Sequence, residues 1–239
     1  MSTDLVCVIP ARGGSKAIPR KNLADLGGRP LVAWSIEAAL RSEVIGRVLV
    51  STDSPEIAQA AQAAGAETPF LRPSEFAQDR VHSVHAVLHA LDWLEAEEGR
   101  APAAVMMLLP TAPFRRPDQV AAAVETWRAS GAAALVSVAD TGKYMTNLRH
   151  VRDGRLQPLD PDEDPNAQRQ GLEKLYAVNG SIYIARSKDL RAAGTFHLPN
   201  AAAYVMSQAS SLDINDPADL AFARRLVAAF DPWTAEEMR

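Results

Sequence analysis

Apolar runs alternating with amphipathic stretches predict an α/β fold: one domain with a mainly parallel central sheet flanked by helices. Three observations carry this. The runs "LVCVI", "RVLVS", "AVMMLLP" and "ALVSV" are apolar throughout, as strands buried on both faces are. The stretches "PLVAWSIEAALRS", "SPEIAQAAQAAG", "SVHAVLHALDWLEAEE" and "PDQVAAAVETWRAS" between them are longer and apolar at helical spacing. Their alternating order is the one that crossover connections between parallel strands require.

Taken in order, Leu5 to Ile9 reads as the first strand and Pro30 onward as the first helix, leaving Arg12, Lys16, Arg20, Lys21 and Arg29 on the connection. That charge therefore lies at the carboxyl end of a strand, where ligands of open sheets bind. The alternation then continues to "ALVSV". After about residue 139 the chain becomes rich in charge, proline and glycine, with little periodicity. A loop of that length is expected to be functional or packed on another subunit. "LYAVNGSIYIA" reads as a strand, followed by "YVMS" and a closing helix from Pro217 to Phe230.

A chain of 239 residues with 47% hydrophobic residues can bury one substantial core. Its formal net charge of -4 sets one basic loop against an acidic background, which argues against a nucleic-acid partner and for a local anion. The single cysteine, Cys7, excludes an internal disulfide framework or thiolate metal cluster. The amino-terminal apolar stretch is too short for a signal peptide, and no segment approaches the roughly 20 apolar residues of a membrane span. A cytoplasmic protein without membrane partners is expected.

In the basic loop, Gly13, Gly14, Ser15 and Lys16 combine close backbone approach, exposed amides and a cation, the means by which loops cradle phosphate. Neither G-x-x-x-x-G-K-[ST] nor G-x-G-x-x-G spacing is present. His82, His85 and His89 share a helical face but lack carboxylates to complete a zinc site, so a helix-surface or core-edge role is expected. His82, beside Ser83, is the one of the three that would border a nucleotide. Ser15 and Ser83 sit in no hydrolase context such as G-x-S-x-G. Asp53 is open to two readings, a ligand contact or a cap for the next helix.

The stretch "IPARGGSKAIPRKNL" resembles the opening signature of the acylneuraminate cytidylyltransferases, which make CMP-sialic acid and related CMP-sugars. "STDSPEIA", "FLRPSEFAQD", "PTAPFR", "RQGLEKLYAVNGSIY" and "SLDINDPADL" extend the resemblance in order over nearly the whole chain. It implies one Rossmann-like nucleotidyltransferase domain over residues 1–239, with an insertion at about 140–172 through which two copies form a homodimer. It also implies CTP as substrate, bound by Ala11, Arg12, Gly13, Gly14, Ser15, Lys16, Lys21, Asn22, Arg72 and Ser83. Arg12, Lys16 and Asp213 are the implied catalytic residues, with Mg2+ at Asp213 and Asn215. An acidic acceptor is implied at Leu109, Lys143, Arg169, Tyr183 and Phe196.

Two departures bear on these implications. Asn215 stands where the family has the second aspartate of a D-x-D pair, leaving neighbouring Asp216 as an alternative. Leu109 stands where sialic-acid enzymes carry a glutamine, and an unpaired acceptor group there would cost about 1–3 kcal/mol. The expected acceptor is a 3-deoxy-2-keto sugar acid of the nonulosonate type other than plain N-acetylneuraminate. The alternatives are a small phosphonate acid or a nucleotide-binding module that no longer catalyses.

Overall fold

The computed structural model describes residues 4–77, 82–160, 162, 164 and 172–233. In chain order its elements begin with β1 (Leu5–Pro10), a small ribbon of β2 (Asp25–Leu26) and β3 (Arg29–Pro30), α1 (Leu31–Arg41), β4 (Arg47–Ser51) and α2 (Pro55–Ala63). They continue with α3 (Val84–Glu98), β5 (Ala104–Met107), α4 (Pro117–Ser130) and β6 (Ala134–Asp140). The hairpin β7 (Arg149–Arg152) and β8 (Arg155–Pro158) follows, then β9 (Tyr176–Arg186), α5 (Ser187–Ala193), β10 (Ala202–Met206) and α6 (Pro217–Ala229).

Six of these strands form the sheet, in the order β10-β6-β9-β5-β1-β4. β1 pairs parallel with β4 and β5, and β10 pairs parallel with β6. The expected mainly parallel sheet is therefore present, with one reversed strand, because β9 runs antiparallel between β5 and β6.

The continuous apolarity of the strands has a direct cause in the two faces of the sheet. Leu5, Cys7 and Ile9 of β1 pack with Val32 and Ile36 of α1, Ile57 of α2 and Val120 of α4. Val6 and Val8, pointing the other way, pack with Val87, Leu91 and Leu94 of α3 and Leu190 of α5. A third cluster covers the far side of α1, where Leu31, Trp34 and Ala38 meet Leu220 and Ala223 of α6. α1 is thus buried from two sides, and the Trp34 indole N–H is satisfied by the Leu26 carbonyl at 3.0 Å. The β2–β3 turn needs glycine: Gly27 has φ +64°, and a Cβ there would stand 2.3 Å from a Val227 methyl.

Within the stretch from 140 to 172, whose sequence shows little periodicity, the structure has the β7–β8 hairpin. Its pattern is silent because neither face is buried: Val151 and Leu156 are 71% and 73% exposed.

Candidate active site

The loops leaving the carboxyl ends of β1 and β5, with residues between α2 and α3, converge on a cavity of about 330 Å³. Arg12, Gly14, Ser15, Lys21 and Asn22 line it from the loop after β1, and Arg72, His82 and Ser83 close another side. Leu109, Pro110 and Thr111, after β5, complete the wall.

The loop is shaped by its own hydrogen bonds. Ala11 extends the β1–β4 pairing by donating its N–H to the Ser51 carbonyl at 3.0 Å, and the Asn22 side-chain amide donates to the Arg12 carbonyl at 2.8 Å. Gly13 donates its N–H to Asp53 Oδ1 at 2.8 Å, and a Cβ at Gly13 would lie 3.1 Å from the Ser54 Cβ. Asp53 is therefore the tether of the loop, and the cap of α2 is Ser54, whose Oγ accepts the Ile57 N–H. Three expected nucleotide residues stand outside the lining of the cavity. The Gly13 amide is committed to Asp53, Ala11 is fully buried, and Lys16 is exposed outside the lining of the cavity.

None of the described residues that line the cavity is acidic. Arg72 is 5% exposed, and its Nε has no hydrogen-bond partner among the described residues. Burial lowers its pKa, with Asp53 opposing and Arg12 adding to the shift. Lys21 donates to the Ile214 carbonyl at 2.9 Å, and burial lowers its pKa against the pull of Asp213. Cations held in this state gain when a polyanion enters.

Two further hollows open from the same wall. One, of about 520 Å³, is lined by Asp140, Thr141, Asn179, Gly180, Tyr183 and Asp213. The other, of about 450 Å³, is lined by His82, His85, Met107, Tyr183, Phe196 and His197. Leu109 lines all three spaces, and Tyr183 lines both side hollows. Burial, and then the charge of Asp213, raise the Tyr183 pKa, so its phenol is kept as a hydrogen-bond donor. The Phe196 ring packs on it with centroids 5.6 Å apart. His89 lies away from these spaces, against the rings of Phe70 and Phe76. Lys143 is exposed and outside the lining of the three spaces, its backbone N–H donating to Thr141 Oγ1. Arg169 lies outside the described residues.

Asp213 fits one half of a metal site. Its Oδ2 accepts the Asn215 side-chain amide at 2.9 Å, while its buried Oδ1 has no partner. Asp216 Oδ1 accepts the Ala218 and Asp219 amides as the cap of α6. Among the described residues no group of three or more His, Cys, Asp or Glu could hold a metal. A carboxylate whose Oδ1 has no partner among the described residues suits Mg2+, which is commonly held by one or two carboxylates, substrate phosphates and water.

Two supports of the site escape sequence reasoning. Arg115 is fully buried, and burial brings its pKa down to about 10. Among the described residues it meets no carboxylate, donating instead to the carbonyls of Ser181 and Leu109, both at 2.9 Å, and to Ser35 Oγ at 3.0 Å. Such burial costs several kcal/mol before hydrogen bonds offset it. The other support is Asn179, at a register shift between β6 and β9. Its Oδ1 accepts from Ser137 Oγ at 2.6 Å, and its amide donates to Ser211 Oγ at 2.9 Å, fastening the loop before Asp213 to β9. The "PTAPFR" and "NGSIY" motifs contain both residues, but nothing local in them signals burial.

An open sheet with a cationic, glycine-bearing loop and an orphan carboxylate beyond its strand ends has the layout of a nucleotide-handling α/β domain. The chain belongs to the cytidylyltransferase family, whose model matches residues 6–239, and it is a CTP-using enzyme of that kind. It is 34% identical to CMP-N,N'-diacetyllegionaminic acid synthase of Legionella pneumophila, covering 93% of this chain and 96% of that protein. It is 35% identical to N-acylneuraminate cytidylyltransferase of Escherichia coli, with 93% of this chain covered but only 52% of the longer relative. Pseudaminic acid cytidylyltransferase of Campylobacter jejuni is 30% identical over 92% of this chain and 95% of its own length. In fold it resembles a CMP:2-keto-3-deoxy-manno-octonic acid synthetase solved with CTP, with a TM-score of 0.70 at 20% identity, covering 94% and 98% of the two chains. No helix among the described residues is long and apolar enough to cross a membrane.

Proposed function

We propose that this enzyme transfers CMP from CTP to a 3-deoxy-2-keto sugar acid of the nonulosonate type, releasing pyrophosphate. The observation that carries this reading is the joining of three spaces at one residue: a cation-lined cavity and two side hollows share Leu109 as their wall. CTP enters the first, with its triphosphate against Arg12, Ser15, Lys21 and Arg72, while Asn22 and Ser83 border the nucleotide. The acceptor lies against Leu109, Tyr183 and Phe196. The relatives named for legionaminic, acylneuraminic and pseudaminic acids support an acid of this class.

In the reaction the acceptor's anomeric oxygen bonds to the α-phosphorus, the bond from that phosphorus to the bridging oxygen breaks, and pyrophosphate leaves with the electron pair. The hydroxyl proton passes to solvent. Arg12, Lys21 and Arg72 face the charge on the departing pyrophosphate, and Lys16 approaches from the loop's exposed side. Their contribution is positioning and electrostatic stabilisation. Mg2+ held at Asp213, with Asn215 braced against that carboxylate, would supply further charge neutralisation at the phosphates.

The apolar surface suggests a homodimer. Val178 and Val205 flank Val138 in adjacent strands and are 49% and 54% exposed, and the β7–β8 hairpin adds Val151 and Leu156. We assign the dimer contact to the insertion at about 140–172 and the strands beside it, next to the hollow at Asp140 and Thr141. Sedimentation at micromolar concentration tests it: a monomer throughout would refute the assignment.

A second reading, transfer to a small phosphonate acid, draws on Leu109, which offers no hydrogen bond to a sugar substituent. One assay separates the two. Pyrophosphate release from CTP and Mg2+ is measured with N-acetylneuraminate, pseudaminate, legionaminate, octulosonate and phosphonoformate. Turnover of a nonulosonate alone supports the first reading, turnover of phosphonoformate alone supports the second, and silence across the panel refutes the first.

A further inference from the structure

Arg115 is a buried cation whose surroundings do not neutralise it. Its guanidinium gathers three neutral oxygens from three separate elements: Ser35 Oγ from α1, the Leu109 carbonyl after β5, and the Ser181 carbonyl from the irregular part of β9. Ser35 Oγ also donates to the Leu109 carbonyl at 3.2 Å, so that one oxygen receives two donors. On the far side of the same contact, the Leu109 side chain lies 3.6 Å from where a Cβ on Gly180 would stand.

These elements surround the residue that separates the nucleotide cavity from both side hollows. An apolar side chain of similar volume would avoid desolvating a charge. What it could not do is hold two carbonyls and a hydroxyl at fixed angles, which a planar fork of donors does and a lysine ammonium does not.

We propose that Arg115 is a positioning residue: through the carbonyls of Leu109 and Ser181 it fixes the partition between nucleotide and acceptor, and so the alignment of acceptor oxygen and α-phosphorus. The inference rests on the transfer reaction proposed above. Displacements near 1 Å in such a partition are enough to slow an aligned displacement about a hundredfold.

The test compares Arg115→Lys, Arg115→Met and Ser35→Ala with the wild type. The readouts are melting temperature, CTP affinity, acceptor KM and kcat, all taken where each variant is folded. The expected result is CTP affinity within about threefold of wild type, with kcat down about 10- to 100-fold in both Arg115 variants. Ser35→Ala, which removes one of the three anchors, should show a smaller drop of the same kind. Folded Arg115 variants with wild-type kcat and acceptor KM, and only a lower melting temperature, would show that the residue merely supports the fold. If the Arg115 variants do not fold, unchanged kcat and KM in Ser35→Ala overturn the proposal. Each result is a ratio to wild type with whichever acid the wild type uses. A wrong acceptor class therefore shows in the wild-type panel, and a wrong role for Arg115 shows in the ratio.

Discussion

At the amino end of the parallel strands, Arg47 meets Glu67 and Glu98, Arg100 meets Asp4, and Arg191 meets Asp92 and Glu95. At the carboxyl end, Lys21 and Arg115 donate to carbonyl and hydroxyl oxygens, and the Arg72 Nε has no partner among the described residues. Hydrogen bonding to Glu67 raises the Arg47 pKa, whereas burial lowers those of Arg72, Lys21 and Arg115. Cavity size runs the other way. A hollow of about 790 Å³ lies at the amino end, but its Arg100 and Arg191 already have carboxylates. What sets the proposed site apart is therefore its charge, and not its volume.

The largest effects should come from removing charge at the carboxyl end. Arg12→Ala should lower kcat/KM for CTP by about a hundred- to a thousandfold, the range for losing a preorganised donor to developing charge. Steady-state pyrophosphate release measures it, and a loss below about threefold would break the comparison. Asp213→Asn should come next, with a loss of about a hundredfold that excess Mg2+ partly restores, because the orphan oxygen stays but its charge does not. A magnesium titration identical to wild type would detach Asp213 from the metal.

Much of the fold was legible because β1, β4, β5 and β6 are buried on both faces, which writes burial into consecutive residues. The direction of β9 was not legible, since an antiparallel strand buried between neighbours reads the same as a parallel one. The β7–β8 hairpin escaped for the opposite reason: strands exposed on both faces carry no alternation. In the site, Arg12, Lys21 and Asn22 stand out as cations and amides on a glycine-bearing loop. Asp53 reads in sequence as a ligand contact or a cap for α2, and its actual role as a tether for Gly13 was hidden because the two residues are 40 positions apart. Arg115 was hidden because its burial depends on Ser35 and Ser181, which are 80 and 66 residues away.

Smaller effects sharpen the contrast within the carboxyl end. The pKa of Lys21 is lowered, so its ammonium is lost at lower pH than that of an exposed lysine. CTP affinity should hold steady near neutrality and fall as pH rises through that lowered value, and Lys21→Arg should abolish this alkaline limb. Calorimetric titration of CTP against pH checks it, and an identical limb in the arginine variant would assign the titration to another group. Leu109→Gln should change acceptor preference about tenfold toward acids that present a hydrogen-bonding group to the partition, with CTP affinity retained. Acceptor KM ratios across the panel measure this.

The smallest effect belongs to the amino end, where Glu67→Gln removes the carboxylate shared with Arg47. The Glu67 pKa is lowered, first by its hydrogen bond from Arg47 and against the opposing effect of burial. Its contribution to stability is therefore present above the unfolded-state pKa and lost as pH falls through the folded one. Both side chains are substantially exposed, at 33% and 44%, so the contribution is at most about 1 kcal/mol. Urea midpoints should differ slightly between wild type and variant at neutral pH and converge in acid, with kcat and both KM values unchanged. Such a result would make the amino-end pairs supports of the fold alone. A fall in kcat would mean that charge at this end also reaches the reaction, and the division between the two ends would no longer hold.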